Sequence, residues 1–341
     1  MKIIKIMLIL FAVALFLLAL GVLAGMYLLS PVNADDNTLI SFNVQSGSTL
    51  RTVANNLMQQ NLIRSDTIFY LYGRLQDIQL KAGVFNISPA MSVQELCAIL
   101  QSTQYTYVRV SVPEGLTISK IAALLETNGV TDSQSFIDAT KNPSLLQEFG
   151  IPSDSFEGYL FPDTYNFDPD MAAPAVVRMM VKNFFSVIED IEILQTADAE
   201  ELHNTVILAS VVEREYRRAE EAPFMASVFS NRLKRNIGLY SCATIVYIIT
   251  EIEGRAHPDI ITYADTQIDN PYNTYKWAGL PPGPISNPGK VALTAAAYPA
   301  DTNYYYFRLT DAATGTHVFT ADFDEHIEAG IDLQTKNIPD V

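Results

Sequence analysis

The residue best placed to do chemistry in this chain is Glu213, which ends an apolar run and opens a charged one. At 100° per residue it falls between Val206 and Ala209, on a helix that is apolar almost all round and is therefore expected to be buried. A buried carboxyl is costly to ionise without a partner, so its pKa should rise. A raised carboxyl pKa suits a general acid that works near neutral pH.

The same segment allows a simpler interpretation. Glu213 could turn to solvent at the helix end or pair with Arg217 four residues later, a pairing that stabilises a helix by about 0.2–0.5 kcal/mol. Periodicity also does not separate Glu213 from Glu215. The segment alone therefore leaves both interpretations open.

Two other segments combine polar and aromatic side chains. One runs from Glu157 to Tyr165 and holds two carboxyls and two tyrosines around a glycine and a proline. In the other, Asn231 shares a helix face with Phe224 and Val228, so its amide is expected to be buried and hydrogen-bonded. Each also has a structural interpretation, in which Asp163 caps a turn and Asn231 ties two helices together.

A third segment, residues 271 to 289, has five prolines and three glycines in 19 residues, so it is neither a helix nor a central strand. Long irregular segments in compact domains often form binding loops. This one carries Tyr272-Asn273-Thr274-Tyr275 and Trp277. Aromatic rings beside amides and hydroxyls suit a sugar, although the prolines could simply stiffen a loop.

Composition excludes several classes of function. A net charge of −16 argues against nucleic-acid binding, which needs a basic surface. The two cysteines, Cys97 and Cys242, are far apart and are expected to be free thiols. The four histidines show no metal-ligand spacing, and no phosphate-binding or serine-hydrolase motif occurs. We therefore expect no metal and no cofactor.

The elements that must position these residues begin with an apolar N-terminus. Residues 6 to 29 carry no charge and as a helix span about 36 Å, enough to cross a bilayer. Lys2 and Lys5 precede this stretch and Asp35 and Asp36 follow it, which predicts a cytoplasmic N-terminus and an exported body.

A cleaved signal peptide is the alternative, because Val32-Asn33-Ala34 resembles a cleavage site. The apolar stretch is longer than the 7–15 residues usual in a signal peptide, which favours a retained anchor. Residues 31 to 38 are then an acidic tether between the anchor and the folded body.

A repeat follows the tether, and each copy predicts a strand, a glycine turn and a helix opened by Ser or Thr. Val44, Gly47, Thr49, Ala54 and Leu57 recur 68 residues later as Val112, Gly115, Thr117, Ala122 and Leu125. Ser65 and Ser92 are predicted helix N-caps, so residues 40 to 102 should form strand, helix, helix, strand, helix. Helices are expected from about residue 170 to 234, and strands within residues 301 to 321, at 304–307 and 317–319 around a turn at 312–315.

Taken together, the motifs resemble the endolytic murein transglycosylases of the MltG/YceG-like family. They are Val112-Pro113-Glu114-Gly115, residues 157 to 165, Ala209 to Glu215, Phe229 to Leu233, Tyr272 to Tyr275, Gly279 to Ile285, Asn287-Pro288-Gly289 and Gly315 to Phe319, in the family's order. The resemblance implies an α+β fold with a transmembrane helix (1–30), a tether (31–38), a LysM-like α/β module (39–105) and a catalytic domain (106–341).

The resemblance also implies a reaction. Glu213 matches the family's catalytic glutamate, and the family cleaves the MurNAc–GlcNAc bond within peptidoglycan strands without water, leaving a 1,6-anhydro-MurNAc end. The sugar's own 6-hydroxyl attacks C1, so one carboxyl can serve as acid and then base, where most glycosidases need two. The residues expected to line the sugar site are Glu157, Tyr165, Asn231, Asn273, Thr274 and Tyr275.

The implied location is the cell membrane, crossed once, with the catalytic domain outside. Peptidoglycan strands are the implied partner, together with proteins of cell-wall synthesis and division. One departure stands out: where many family members have Gln and Asp, this chain has Tyr240 and Cys242. Two alternatives therefore stay open: a silent peptidoglycan-binding scaffold, and a hydrolase that pairs Glu213 with Glu157 or Asp163.

Overall fold

The structure is a computed structural model that describes residues 2–45, 47–102, 107–311 and 313–336. It is a mixed α+β protein that divides into two compact units, residues 1–108 and 109–341. The domain boundary expected between residues 105 and 106 lies outside the described residues.

The first helix, α1 (Lys2–Leu29), includes a stretch, Leu10–Leu29, that is long and apolar enough to cross a membrane. Its end is fixed to the rest of the first unit. The guanidinium of Arg64 donates to the carbonyls of Pro31 and Val32 and to the hydroxyl of Tyr27. The residues expected to form a tether are thus partly held by hydrogen bonds.

The rest of the first unit has the element order that the sequence predicts. The elements are β1 (Ile40–Val44), α2 (Leu50–Gln59), α3 (Asp66–Leu75), β2 (Gly83–Ile87) and α4 (Val93–Gln101). The two strands pair antiparallel, with Phe42 opposite Phe85, and both rings lie in the core. Ser65 and Ser92 cap their helices, and Ser92 forms the predicted capping box with Glu95.

The second copy of the repeat has a similar plan, with one more helix between its two strands. Its elements are β3 (Val108–Ser111), α5 (Ile118–Thr127), α6 (Ser133–Thr140), α7 (Pro143–Phe149) and β4 (Thr164–Phe167), and β3 pairs with β4. The apolar stripe Ile121, Ala122 and Leu125 is buried, as is its counterpart in α2. Both copies are thus a strand pair joined through helices.

The middle of the second unit is helical, as predicted. It holds α8 (Ala173–Ile188), α9 (Glu192–Gln195), α10 (Ala199–Glu213), a 3₁₀ turn (Ala219–Glu221) and α11 (Ala222–Lys234). Shorter helices follow: α12 (Cys242–Tyr247), a π-helix (Ile248–Ile252), a 3₁₀ turn (Asp265–Gln267) and α13 (Lys290–Ala297). Helix α10 packs against both α11 and α13, which explains why its sequence is apolar almost all round.

Residues 271 to 289 form neither helix nor strand, as expected from their prolines and glycines. The chain ends in a hairpin, β5 (Tyr306–Asp311) and β6 (Thr316–Thr320), followed by α14 (Phe323–Lys336). The first strand begins at Tyr306, two residues later than predicted. Of the predicted turn, Ala312 lies outside the described residues.

Candidate active site

Glu213 is the last residue of α10, a helix that Asp198 opens with a capping box to Glu201. The seven residues before Glu213 are all buried, and its own side chain is half-buried. No ion pair joins it to Arg217 in the part of the chain that the structure describes. The interpretation as a paired surface glutamate is therefore wrong.

Two donors hold the Glu213 carboxyl. The backbone N–H of Gly289 donates to Oε2 at 2.9 Å, and the hydroxyl of Tyr216 donates to Oε1 at 3.4 Å. Burial raises the pKa of Glu213 to about 7, against the lowering effect of these two hydrogen bonds. The direction agrees with the rise expected from the sequence, and a pKa near 7 suits exchange of a proton near neutral pH.

A second carboxyl, Glu114, lies beside Glu213 across Gly289. A Cβ placed on Gly289 would be 2.6 Å from Cγ of Glu114, while the N–H of the same glycine donates to Glu213. The charge of Glu114 adds to the rise in the pKa of Glu213. The sequence contained a signal for this neighbour, since Glu114 belongs to the Val112–Gly115 motif, but the motif alone did not assign it to the site.

The glycine turn of the second repeat copy forms one wall of the site. Gly115 has φ +75°, and a Cβ there would be 3.6 Å from Cγ of Glu213 and from Cδ of Arg214. Arg214 donates from Nη1 to the Gly115 carbonyl at 3.0 Å. A side chain at position 115 would therefore be strained and would lie against the catalytic candidate.

Asn287 joins the segments that surround Glu213. Its Nδ2 donates to Oε1 of Glu157 (2.8 Å) and to the carbonyl of Leu116 (3.0 Å), and its Oδ1 accepts from the N–H of Leu160 (2.9 Å). Its backbone carbonyl accepts from the N–H of Gly115 at 2.9 Å. The side chain is fully buried, so one residue fixes three motifs that lie far apart in the sequence.

Glu157, expected to line the sugar site, is buried and has its oxygens occupied. Both accept from the N–H of Ile118, and one also accepts from Asn287. Burial raises the pKa of Glu157 to about 8. Gly158, with φ +88°, lets this segment pack against Pro284, since a Cβ there would be 2.7 Å from that ring. Glu157 therefore supports the site from within the protein.

Tyr165 and Asn231 are also tied to the protein. The Tyr165 hydroxyl donates to the carbonyl of Phe161 and accepts from Asn183. The Asn231 amide donates to the carbonyls of Thr302 and Tyr304, as the predicted hydrogen bonding of this side chain requires. The described contacts of both side chains go to protein groups other than Glu213.

The three expected sugar contacts in the proline-rich loop, Asn273, Thr274 and Tyr275, differ in their surroundings. Asn273 is fully buried and donates to the carbonyls of Thr266 and Ile268, and buried Thr274 bonds the N–H of Ser241, so both hold the loop in shape. Tyr275 is half-buried, and its hydroxyl lies 3.0 Å from the sulfur of Cys242. Among the six residues expected to line the sugar site, Tyr275 is thus the one whose hydroxyl lies beside an exposed residue, Cys242.

The carboxyls of Asp163 and Glu157, considered from the sequence as partners of Glu213, are bonded to other protein groups. Asp163 bonds Asn183 and the N–H of Thr164, and the buried Glu157 bonds Ile118 and Asn287. The carboxyl that does lie beside Glu213 is Glu114.

This geometry predicts a pH effect. If protonated Glu213 is the active acid, the rate falls as pH rises through about 7. Glu114→Gln removes a negative charge that repels the Glu213 carboxylate, so the pKa of Glu213 is lowered. The decline of the cleavage rate then begins at a lower pH. A pH–rate profile of both proteins checks this. A limb that stays in place would show that Glu114 does not influence Glu213.

Fold and site together define the class: an α+β protein whose candidate active site is a half-buried carboxyl with a raised pKa. The model of the YceG-like family matches residues 42–330, and the chain belongs to this family.

Three related proteins carry the comparison further. The chain is 32% identical, over 90% of its length and 88% of the relative's, to a protein of Bacillus subtilis named endolytic murein transglycosylase. It is 26% identical to a Streptococcus pneumoniae protein of the same name, of which it covers 59%. A crystal structure of a yceG-like protein from Listeria monocytogenes matches 85% of this chain and 99% of that one, with a TM-score of 0.58 and 28% identity.

Proposed function

We propose that this chain is a membrane-anchored peptidoglycan lytic transglycosylase. It cleaves the MurNAc–GlcNAc bond within glycan strands and leaves 1,6-anhydro-MurNAc ends, with Glu213 as general acid and base. The observation that carries this proposal is the Glu213 carboxyl, half-buried, raised in pKa and held by Gly289, in a chain whose relatives are named endolytic murein transglycosylases.

The reaction needs one proton carrier. Protonated Glu213 gives its proton to the glycosidic oxygen as the bond from that oxygen to C1 breaks. The 6-hydroxyl of the same sugar forms the new bond to C1, and its proton passes to the Glu213 carboxylate. The acid is thereby restored, and no water is consumed.

The two donors on Glu213 support both halves of this cycle. The N–H of Gly289 and the hydroxyl of Tyr216 stabilise the carboxylate that exists between the two proton transfers. Burial and the charge of Glu114 favour the protonated form. The balance of these effects places the pKa where the group can both give and take a proton.

Among the expected sugar contacts, Tyr275 remains the candidate for direct contact with the glycan. Glu157, Tyr165, Asn231, Asn273 and Thr274 would act by fixing the segments that border the substrate, because their polar atoms are bonded to protein groups.

We also propose roles for the N-terminal part of the chain, which would fix the protein's location in the cell. Helix α1 would be a retained anchor with its lysines in the cytoplasm, which places the second unit outside the membrane. Residues 39 to 105 would be a LysM-like module that holds glycan. Its order of strand, helix, helix, strand supports this assignment.

The test is the chemistry of the product ends. Full-length protein in detergent is incubated with purified peptidoglycan, and the new ends are analysed by mass spectrometry. We expect 1,6-anhydro ends. Reducing ends would indicate hydrolysis, and binding without products would indicate a scaffold; either result would overturn the proposal.

A further inference from the structure

A cavity of about 620 Å³ opens beside Glu215. It lies between the loop that carries Tyr240, helix α11, strand β5 and the start of α14, and its walls include Glu215, Arg232, Tyr240, Cys242, Tyr306 and Phe323. Glu215 follows Glu213 by two residues, so their Cα atoms are at most about 7 Å apart. A group attached to a sugar at Glu213 is therefore within reach of this cavity.

Arg232 gives the cavity a hydrogen-bond donor. Its Nε donates to the carbonyl of Tyr305 at 2.7 Å, and its Nη1 donates to the carbonyl of Leu239. Its Nη2 has no hydrogen-bond partner, and the residue forms no ion pair, among the residues that the structure describes. One edge of a fixed guanidinium is thus available to a ligand oxygen.

Glu215 gives the cavity an acceptor. The hydroxyl of Ser241 donates to its Oε1, and burial raises the pKa of its carboxyl. A carboxylate ligand has no N–H for Glu215, whereas an amide offers an oxygen to Arg232 and an N–H to Glu215. The pair of wall residues therefore favours amide groups over simple anions.

His326 also lines the cavity, and one nitrogen of its ring is buried without a partner among the described residues. Its Nε2 lies 3.3 Å from Nη2 of Arg308, and because a guanidinium can only donate, Nε2 must accept. The neutral ring then carries its proton on Nδ1, which is buried and has no partner within the described residues. Such an unpaired group is costly unless a ligand bonds it.

The other walls are aromatic. The Arg232 guanidinium lies 5.6 Å from the ring centroids of both Tyr240 and Tyr306, and the ring of Phe323 lies 5.4 Å from that of Tyr306. Tyr240 adopts φ +49°, an unusual conformation for a bulky residue, and its N–H donates to the Thr274 carbonyl. The rings form apolar surfaces on either side of the donor and acceptor.

We propose that this cavity binds the short peptide that the MurNAc residues of a glycan strand carry. The peptide amides bond Arg232 and Glu215, and its aliphatic side chains pack against the rings. The volume is in the range that takes a drug-sized ligand and far exceeds the need of an acetamido group. The inference rests on the proposed function, because it requires a glycan at Glu213.

Two residues of this wall depart from the pattern of the family that the motifs resemble. Tyr240 and Cys242 stand where many members of the family that the motifs resemble have Gln and Asp. A ring and a thiol make the cavity more apolar than an amide and a carboxylate would. The departure thus changes which peptide side chains the cavity accepts while leaving Glu213 in place.

The test measures binding without cleavage. Full-length Glu213→Gln protein in detergent is titrated calorimetrically with N-acetylmuramic acid and with N-acetylmuramyl dipeptide. We expect the peptide-bearing ligand to bind at least about tenfold more tightly, a free-energy difference of about 1.4 kcal/mol. Equal affinities, or no binding of either ligand at millimolar concentration, would overturn the proposal.

Variants in the same background assign the effect to the cavity. Cys242→Phe fills it and should remove the preference for the peptide, as should Tyr240→Ala, which removes a wall. Thr294→Phe adds the same ring to a different cavity, on α13, and should keep the preference. Preference that survives both cavity variants, with folding confirmed by circular dichroism, would refute the assignment. A preserved preference in a protein that makes no anhydro ends would refute the catalytic proposal alone.

Discussion

Glu213→Gln is expected to lower the rate of glycan cleavage about 10³-fold, because a positioned general acid and base typically contributes 10² to 10⁴. Glutamine keeps the shape of the side chain, its oxygen can accept from the N–H of Gly289 and its NH2 group can donate to the hydroxyl oxygen of Tyr216, but it cannot exchange the proton. The measurement is the rate of new chain ends formed from purified peptidoglycan. Since the hydrogen bonds can persist, the melting temperature should change little.

The matched control is Glu220→Gln. Glu220 lies in the same charged stretch, is exposed and pairs with Arg218 at the surface. Its substitution should leave the cleavage rate within about twofold of the wild type, as for most surface changes. Equal losses in the two variants, or activity retained in Glu213→Gln, would show that Glu213 is not the proton carrier.

Asn287→Ala is expected to have the largest effect on stability, about 3 kcal/mol, because it leaves several buried groups without partners. The Leu116 carbonyl keeps its bond from the Asn287 backbone N–H, so the loss falls mainly on Glu157 and the N–H of Leu160. Denaturant unfolding of the wild type and the variant measures the difference.

The control for Asn287 is Asn128→Ala. The amide of Asn128 is exposed and bonds a carbonyl of its own helix. We expect a change below about 0.5 kcal/mol there. If Asn287→Ala cost no more than this control, the three motifs would not depend on one side chain, and the described network would carry little of the stability.

Much of the fold could be predicted because its signals are local. The capping box at Ser92 and Glu95 needs only four residues of sequence, and the repeat at an offset of 68 shows its apolar stripes directly. The raised pKa of Glu213 followed from the apolar residues on its own helix. The first residue of a strand was harder to predict: β5 begins at Tyr306, two residues after the predicted start.

The site was harder to predict because its contacts join distant segments. Asn287 is 130 residues from Glu157, and no periodicity brings the two together. For the same reason Glu114 remained only part of a motif, although it lies beside Glu213 through Gly289. Asn273 was expected to meet sugar because amides suit sugars, but its amide bonds two carbonyls of its own loop. Residue type indicates a possible contact, and only the fold decides which contact is made.

The most direct test of the central claim is a titration of the Glu213 carboxyl by ¹³C NMR, with the signal assigned by its loss in Glu213→Gln. We predict a pKa of about 7, raised by burial and lowered again when Glu114 is replaced by Gln. A pKa near the ordinary 4.5 would contradict it, because such a carboxyl would be ionised at neutral pH and could not serve as the acid.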